Sequence, residues 1–492
     1  MSPKLWTRGA AAFALLLLLS TTGTGFAQVS VRKASAPAKG EEHLRVFQQH
    51  LAVLNAGDAE GLKKFAAEHL SEQERQGAPP ERIAQGELGF RRRVGGFDLY
   101  EVEKNTDTEL VTTLKSRGEF PIYVRSDWTF DAANPSLVTN RNLEPIDTPA
   151  SALKRSSPAE LSKEIDEKLA RLTAAGEFSG AVLIAKDGKP VWQRAYGYAD
   201  REAKTANNLD TRFRLGSMNK MFTSVSIAQL VQAGKLKYTD TLAAVLPDYP
   251  DKEIARKVTI HQLLTHTSGL GDIFVPEFDQ KKDSLHDIKD YLQLFAGKPL
   301  KFEPGAGWSY SNAGFIVLGL VIERVSGESY YDYVQRHIYD AAGMKASGSF
   351  PKTEKVPNLA VGYMRGDDGK LVPNWETLPW RGMSAGGGDS TAGDLLRFAE
   401  ALRSHKLLNA ELTETVITGK AQPGHDANRK YAYGFEEHFV AGHRVVGHSG
   451  GAPGMNGELD IRMDDGYTVV VLANLDPPAA QRLAAYISER LR

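Results

Sequence analysis

The chain has 492 residues, with 60 lysines and arginines balanced against 61 aspartates and glutamates, and it contains no cysteine. That length exceeds what one ordinary hydrophobic core supports, so two domains are expected. Balanced charge without a basic stripe argues against nucleic acid as a partner, and the lack of cysteine removes disulfides, thiol nucleophiles, cysteine-based zinc sites and cysteine lipidation.

Lys4 and Arg8 precede the apolar run Ala10–Leu19, which is followed by small and polar residues up to Ala27. Ten apolar residues fall well short of the roughly 20 that span a bilayer, but they suit a secretory signal. Residues 1–27 therefore read as a signal peptide cut after Ala27, with no transmembrane anchor and a periplasmic or secreted destination. Residues 28–40, rich in Ala, Lys, Ser and Pro, read as a flexible lead-in.

A small α+β domain is expected over 41–147. Leu44, Phe47, Leu51 and Leu54 recur at helical spacing, and Asn55-Ala56-Gly57-Asp58 ends that helix. A second helix covers Ala59 to Leu70. Arg91-Arg92-Arg93, the densest basic run, reads as a solvated face. Beyond Phe97 the pattern changes to strands over Phe97–Glu103, Glu109–Ser116, Pro121–Phe130 and Ser136–Leu143. Two or three helices followed by a strand meander resemble the cone-shaped ketosteroid-isomerase-like fold, which hosts many functions.

Residues 148–158, with prolines and serines, read as a linker, and a second domain is expected over 159–492. A helix over Ala159–Ala175 leads into strands Gly180–Ile184 and Val191–Tyr198 around the turn Asp187-Gly188. From Ser217 to about Phe350 the chain reads as mostly helical. A hairpin turning near Gly442, strands Gly457–Met463 and Tyr467–Asn474, and a helix from Ala479 close the chain. Strands at both ends of a helical insert predict an antiparallel sheet built from the two ends, with the site at the seam between sheet and helical lobe.

Three distant segments carry the chemistry. In Ser217-Met218-Asn219-Lys220, Gly216 permits a sharp turn into the helix, and Lys220 stands one turn from Ser217 on the same face. A serine at a helix start has unpaired N–H groups beside it, and a lysine whose charge is disfavoured can take its proton. Elsewhere Ser-x-x-Lys recurs without such context, at Ser30, Ser151 and Ser349. Tyr310-Ser311-Asn312 sits before a helix over Gly314–Val325, so the phenol of Tyr310 is expected near a helix N-terminus with a lowered pKa, and Asn312 near Lys220. Gly447-His448-Ser449-Gly450-Gly451 reads as an edge strand that lets substrate backbone approach; Gly450 and Gly451 form its rim, and the Gly451 N–H can complete an oxyanion hole with that of Ser217.

These segments, with Leu263–Leu270 and Phe302-Glu303-Pro304-Gly305, resemble the serine β-lactamase and penicillin-binding-protein-like superfamily, especially the branch of class C β-lactamases, esterases and D-stereospecific peptidases. The resemblance implies Ser217 as nucleophile, Lys220 as its base, Tyr310 as proton relay, and Asn312, His448, Gly450 and Gly451 as substrate contacts. It implies a small-molecule or peptide substrate, no metal and no cofactor, and it leaves oligomeric state open. Where many members carry Lys-Thr-Gly, this chain has His448-Ser449-Gly450. Losing a charge-assisted contact costs about 1.5–3 kcal/mol, so anionic β-lactams are expected to be poor substrates beside neutral esters or amides. The alternatives are a β-lactamase or D-Ala-D-Ala carboxypeptidase with the same machinery, and a catalytically silent binding protein on this fold. Two readings from other folds fare worse. Ser384 lies in a second Gly-x-Ser-x-Gly but lacks a strand before it, and His438, His443 and His448, five apart on a hairpin, cannot converge on a metal.

Overall fold

The computed structural model describes residues 39–366, 368–424 and 428–492, so the signal peptide and most of the lead-in lie outside the described residues. Among those described, no helix is long and apolar enough to cross a membrane. They divide into two compact units whose chain boundary falls between Lys154 and Arg155.

The smaller unit begins with helix α1 (Lys39–Ala56), which starts inside the stretch expected to be a lead-in. Asp58 caps α2 (Ala59–His69) by accepting from the Gly61 N–H, as its place after Gly57 favours. A third long helix, α3 (Pro80–Val94), starts on a proline pair and ends on Gly95 in the left-handed conformation. Arg91-Arg92-Arg93 fall in its last turn, where cations suit the helix dipole. Strands β1 (Phe97–Asn105), β2 (Glu109–Ser116), β3 (Tyr123–Phe130) and β4 (Val138–Ile146) form an antiparallel meander in that order. The helices pack on the sheet around Phe47, Leu51, Leu54, Phe65 and Trp128.

The larger unit has a seven-stranded antiparallel sheet with helices on both faces. Helix α4 (Pro158–Ala174) opens with a full capping box between Ser157 and Glu160. It leads to β5 (Gly180–Lys186) and β6 (Lys189–Tyr196), joined at Asp187-Gly188, both with positive φ as a tight hairpin turn requires. The helical insert contains α5 (Asn219–Gln232) and α6 (Asn312–Ser326), which pack on each other. After it come β7 (Arg429–Tyr431), β8 (Glu436–Val440), β9 (His443–Ala452), β10 (Met455–Arg462), β11 (Tyr467–Ala473) and helix α7 (Ala479–Arg490). The sheet order is β7-β8-β9-β10-β11-β5-β6, so the first and last strands of the unit meet in mid-sheet, with Val470 opposite Leu183.

Strand β9 corrects the expectation of an edge strand, since it has neighbours on both sides. Its pairing with β8 nevertheless ends at Glu436 opposite Gly447, whereas pairing with β10 continues to Ala452. Residues 448–452 therefore present an open flank within an interior strand, which is what the site uses. Helix α5 is buried around most of its circumference and shows no apolar stripe, because sheet and lobe enclose it.

Candidate active site

Ser217 sits in a single 3₁₀ turn, Gly216–Met218, that runs straight into α5. Gly216 adopts φ +55°, and a Cβ there would lie 3.0 Å from the Gly451 nitrogen. A Cβ on Gly450 would lie 1.9 Å from the Leu215 carbonyl oxygen. The turn bearing Ser217 and strand β9 thus approach through two positions where only hydrogen fits. That contact brings the Gly451 N–H beside the serine turn.

Lys220 is fully buried and donates from Nζ to Ser217 Oγ at 3.2 Å, to Asn312 Oδ1 at 2.8 Å and to the Ala385 carbonyl. Its Nζ also lies 4.7 Å from the centre of the Tyr310 ring and 5.3 Å from that of Phe315. Burial pushes its pKa down to about 7, with the Asp272 carboxylate pulling weakly the other way. A lysine held at that value is a base at neutral pH. Asn312 is the first residue of α6 and Ser311 its N-cap, accepting from Gly314 N–H at 3.0 Å. The Asn312 amide faces Asp272 through Nδ2, at 3.0 and 3.2 Å, so its oxygen must face Lys220.

The Tyr310 hydroxyl lies beside Ser217, which by itself would lower the pKa of the phenol. Its predicted acidity is corrected: burial raises its pKa well above the ordinary phenol value, and the nearby Glu436 and Asp272 charges add to that rise. Desolvation outweighs the field of the α6 N-terminus, and the group is a phenol, not a phenolate. His448 is buried, and its pKa is lowered chiefly by burial, so the ring is neutral. Its Nδ1 lies 2.6 Å from the Ser449 carbonyl, which can only accept, and its Nε2 lies 3.0 Å from the Tyr431 hydroxyl. Nδ1 therefore carries the proton and Nε2 accepts from Tyr431, so both nitrogens are engaged within the protein.

Two cavities open on Ser217. One is lined mainly by apolar side chains, among them Ile273, Phe274, Phe278 and Met383, together with Asn312. The other is lined by Tyr310, Glu436, His448, Ser449 and Gln481 among others. Gly451 borders both. All seven residues singled out from sequence thus lie in or beside one cleft.

Sequence reasoning missed Asp272, Glu436, Tyr431 and the part played by His266. His266 is fully buried at φ +62°, accepts the Ser311 N–H on Nδ1 at 3.1 Å, and packs against Tyr310 and Tyr431 with ring centres 4.3 and 4.5 Å away. Its position in Leu263–Leu270 was the available signal; for Asp272, a single acid in a glycine-rich loop, there was none. The rival nucleophile Ser384 is fully buried, its hydroxyl lying 2.4 Å from where a Cβ on Gly319 would stand. Among the trio of histidines, His443 pairs instead with Asp464 at 2.7 Å, away from His448.

A profile of the beta-lactamase family matches residues 165–492. The Bacillus subtilis protein PbpX is 34% identical over 297 residues, covering 60% of this chain and 70% of its own length. Esterase EstB of Burkholderia gladioli is 32% identical over 282 residues, covering 50% of this chain and 71% of its own. The crystal structure of a penicillin-binding protein from Bacillus halodurans matches with a TM-score of 0.59 at 36% identity, over 64% of this chain and 98% of that one. All three chemical segments fall inside the matched region, and on that ground the chain belongs to the beta-lactamase family of serine hydrolases.

Proposed function

We propose that the protein hydrolyses ester or amide bonds through an acyl-enzyme on Ser217, with neutral esters and amides favoured over anionic β-lactams. The observation that carries this reading is Lys220, sealed from solvent, within hydrogen-bonding distance of Ser217 Oγ and with a pKa near 7. Neutral Nζ takes the serine proton as Oγ attacks the substrate carbonyl carbon. The negative charge that develops on the substrate carbonyl oxygen falls between the N–H groups of Ser217 and Gly451. Tyr310, a neutral phenol, gives its proton to the departing oxygen or nitrogen and recovers one from Lys220. Water then repeats the sequence on the ester of Ser217 and releases the acid.

Two features support the substrate preference. His448 stands in place of a lysine and is neutral, with both nitrogens held by the protein, so it offers no charge to a substrate carboxylate. EstB, one of the similar proteins, is an esterase. We further read 41–147 and 159–492 as separate domains, and residues 1–27 as a signal for export that leaves Gln28 as the mature N-terminus, which N-terminal sequencing of the secreted protein would check.

The deciding experiment is labelling with a fluorophosphonate, read by intact mass and peptide mapping. One adduct on Ser217 is expected, absent from Ser217→Ala, along with faster turnover of a neutral short-chain ester than of benzylpenicillin. An adduct on another residue overturns the mechanism, and penicillin turnover near the diffusion limit overturns the substrate preference.

A further inference from the structure

The two cavities beside Ser217 differ in what they offer a substrate. Tyr310 lines the second and not the first, and Asn312 the first and not the second. If Tyr310 protonates the leaving group, the second cavity receives that group and the apolar cavity receives the acyl chain. The charged residues lining the second cavity are Arg365, Glu436 and Asp476. Asp476 is occupied, accepting the Gly454 N–H at 2.7 Å and the Arg365 N–H at 2.8 Å. The Arg365 guanidinium turns to the carbonyls of Gly369 and Gly176, at 3.1 and 3.5 Å.

Glu436 is different. It is the first residue of β8, at the point where that strand stops pairing with β9, and its side chain keeps 33% of its exposure. Its contacts are weak: the Ser449 hydroxyl at 3.4 Å and the Arg429 guanidinium at 3.9 Å. Its charge reaches the reacting groups, raising the pKa values of Tyr310 and Tyr431 and opposing the fall at His448. Glu458, on β10 opposite Ser449, is not among the residues lining the cavity, and burial with the charges of Asp460 and Glu436 raises its pKa well above the ordinary carboxyl value. His448 adds no cation.

We propose that the second cavity selects substrates whose leaving group carries a positive charge, with the Glu436 carboxylate as its counter-ion. The substrate class is then an ester or amide of a small amino alcohol or diamine, acylated by an apolar acid. This rests on the serine mechanism proposed above. An ammonium in the cavity meets an under-partnered carboxylate, whereas a carboxylate meets like charge beside an Arg365 guanidinium already turned to two backbone carbonyls.

The test compares three acetate esters: that of choline, that of 3,3-dimethylbutanol, which has the same shape with carbon for nitrogen, and that of a hydroxycarboxylate. At low ionic strength kcat/KM for the choline ester should exceed that for its neutral isostere by about three- to fivefold, as expected for a partly exposed pair, and the hydroxycarboxylate ester should be slowest. The ratio of cationic to neutral ester should shrink as salt is added and fall close to one in Glu436→Gln. Glu436→Lys should reverse the order of the charged esters. A ratio near one in the unaltered protein, or a ratio unchanged in Glu436→Gln, overturns the proposal. If the esters turn over too slowly to rank, protection of Ser217 from fluorophosphonate by choline against 3,3-dimethylbutanol gives the same comparison, and equal protection overturns it. Failure of Ser217 to label at all is a separate result that removes the serine mechanism, and this proposal with it.

Discussion

Both units bury charge, one among opposite charges and the other among neutral acceptors. In the smaller unit Arg141 donates to Glu74 at 2.8 Å and to Glu87 at 3.1 Å, and Glu87 meets His50 Nε2 at 3.1 Å, all beside Trp128. Every charge there has an opposite or polar neighbour. In the larger unit Lys220 is equally buried, yet its three acceptors are a hydroxyl, an amide oxygen and a carbonyl, and Asp272 stands one amide further off. In the first centre burial raises the Glu87 pKa to about 7 against the pull of Arg141, and in the second, with no carboxylate in direct contact, burial lowers that of Lys220 to about 7, which suits it to the role of base proposed above.

That contrast can be broken at either centre. The largest effect is expected from Ser217→Ala, which removes what Lys220 acts on: ester turnover should fall by about 10⁴-fold or more, with no fluorophosphonate adduct in the mass spectrum. Lys220→Met should lower turnover by about 10²–10⁴-fold while the melting temperature holds or rises, because the side chain contributes chemistry at a cost in stability. Arg141→Met should behave in the reverse sense. Taking the cation from buried Glu87 and part-buried Glu74 should destabilise the smaller unit by about 3–5 kcal/mol above pH 7, where Glu87 is ionised, and by less below it, read as lost hydrogen-exchange protection over 41–147. The finest change is Asp272→Asn. Lys220 is an effective base only above its pKa, so kcat/KM should rise as pH passes through about 7. Asp272 raises that pKa, so its neutralisation should move the rising limb to lower pH, and a limb that stays put would show that Lys220 is not the titrating base.

Much of this arrangement could be read from the chain because its signals are local. Ser217 and Lys220 belong to one helical turn, Ser311 caps the helix that Asn312 begins, and Asp187-Gly188 marks its own hairpin. What stayed hidden depends on how distant segments meet. The sign of the Tyr310 shift depends on enclosure by groups from other segments, and a helix-end argument made from its neighbours alone chose the wrong direction. Glu436 looks like any strand-edge acid until β8 is seen to stop beside Gly447. That the Tyr431 hydroxyl occupies His448 Nε2 was equally hidden, since Tyr431 stands seventeen positions earlier and no spacing rule links the two. Ser384 shows the converse: a convincing motif in sequence, but a hydroxyl wedged against Gly319.

The mid-sheet junction of β5 with β11 joins segments that are almost the full unit apart along the chain. Loop-closure entropy has to be overcome before such a pairing returns any stabilisation, so this union belongs to the late stages of folding. Strand β9 carries Gly451 and is anchored through β10 to β11, so the N–H proposed above as an oxyanion donor takes its place only once the sheet has closed. On the mechanism proposed above, a newly made polypeptide would hold Ser217 and Lys220 side by side before it could stabilise a tetrahedral adduct, and would thereby be spared premature acylation.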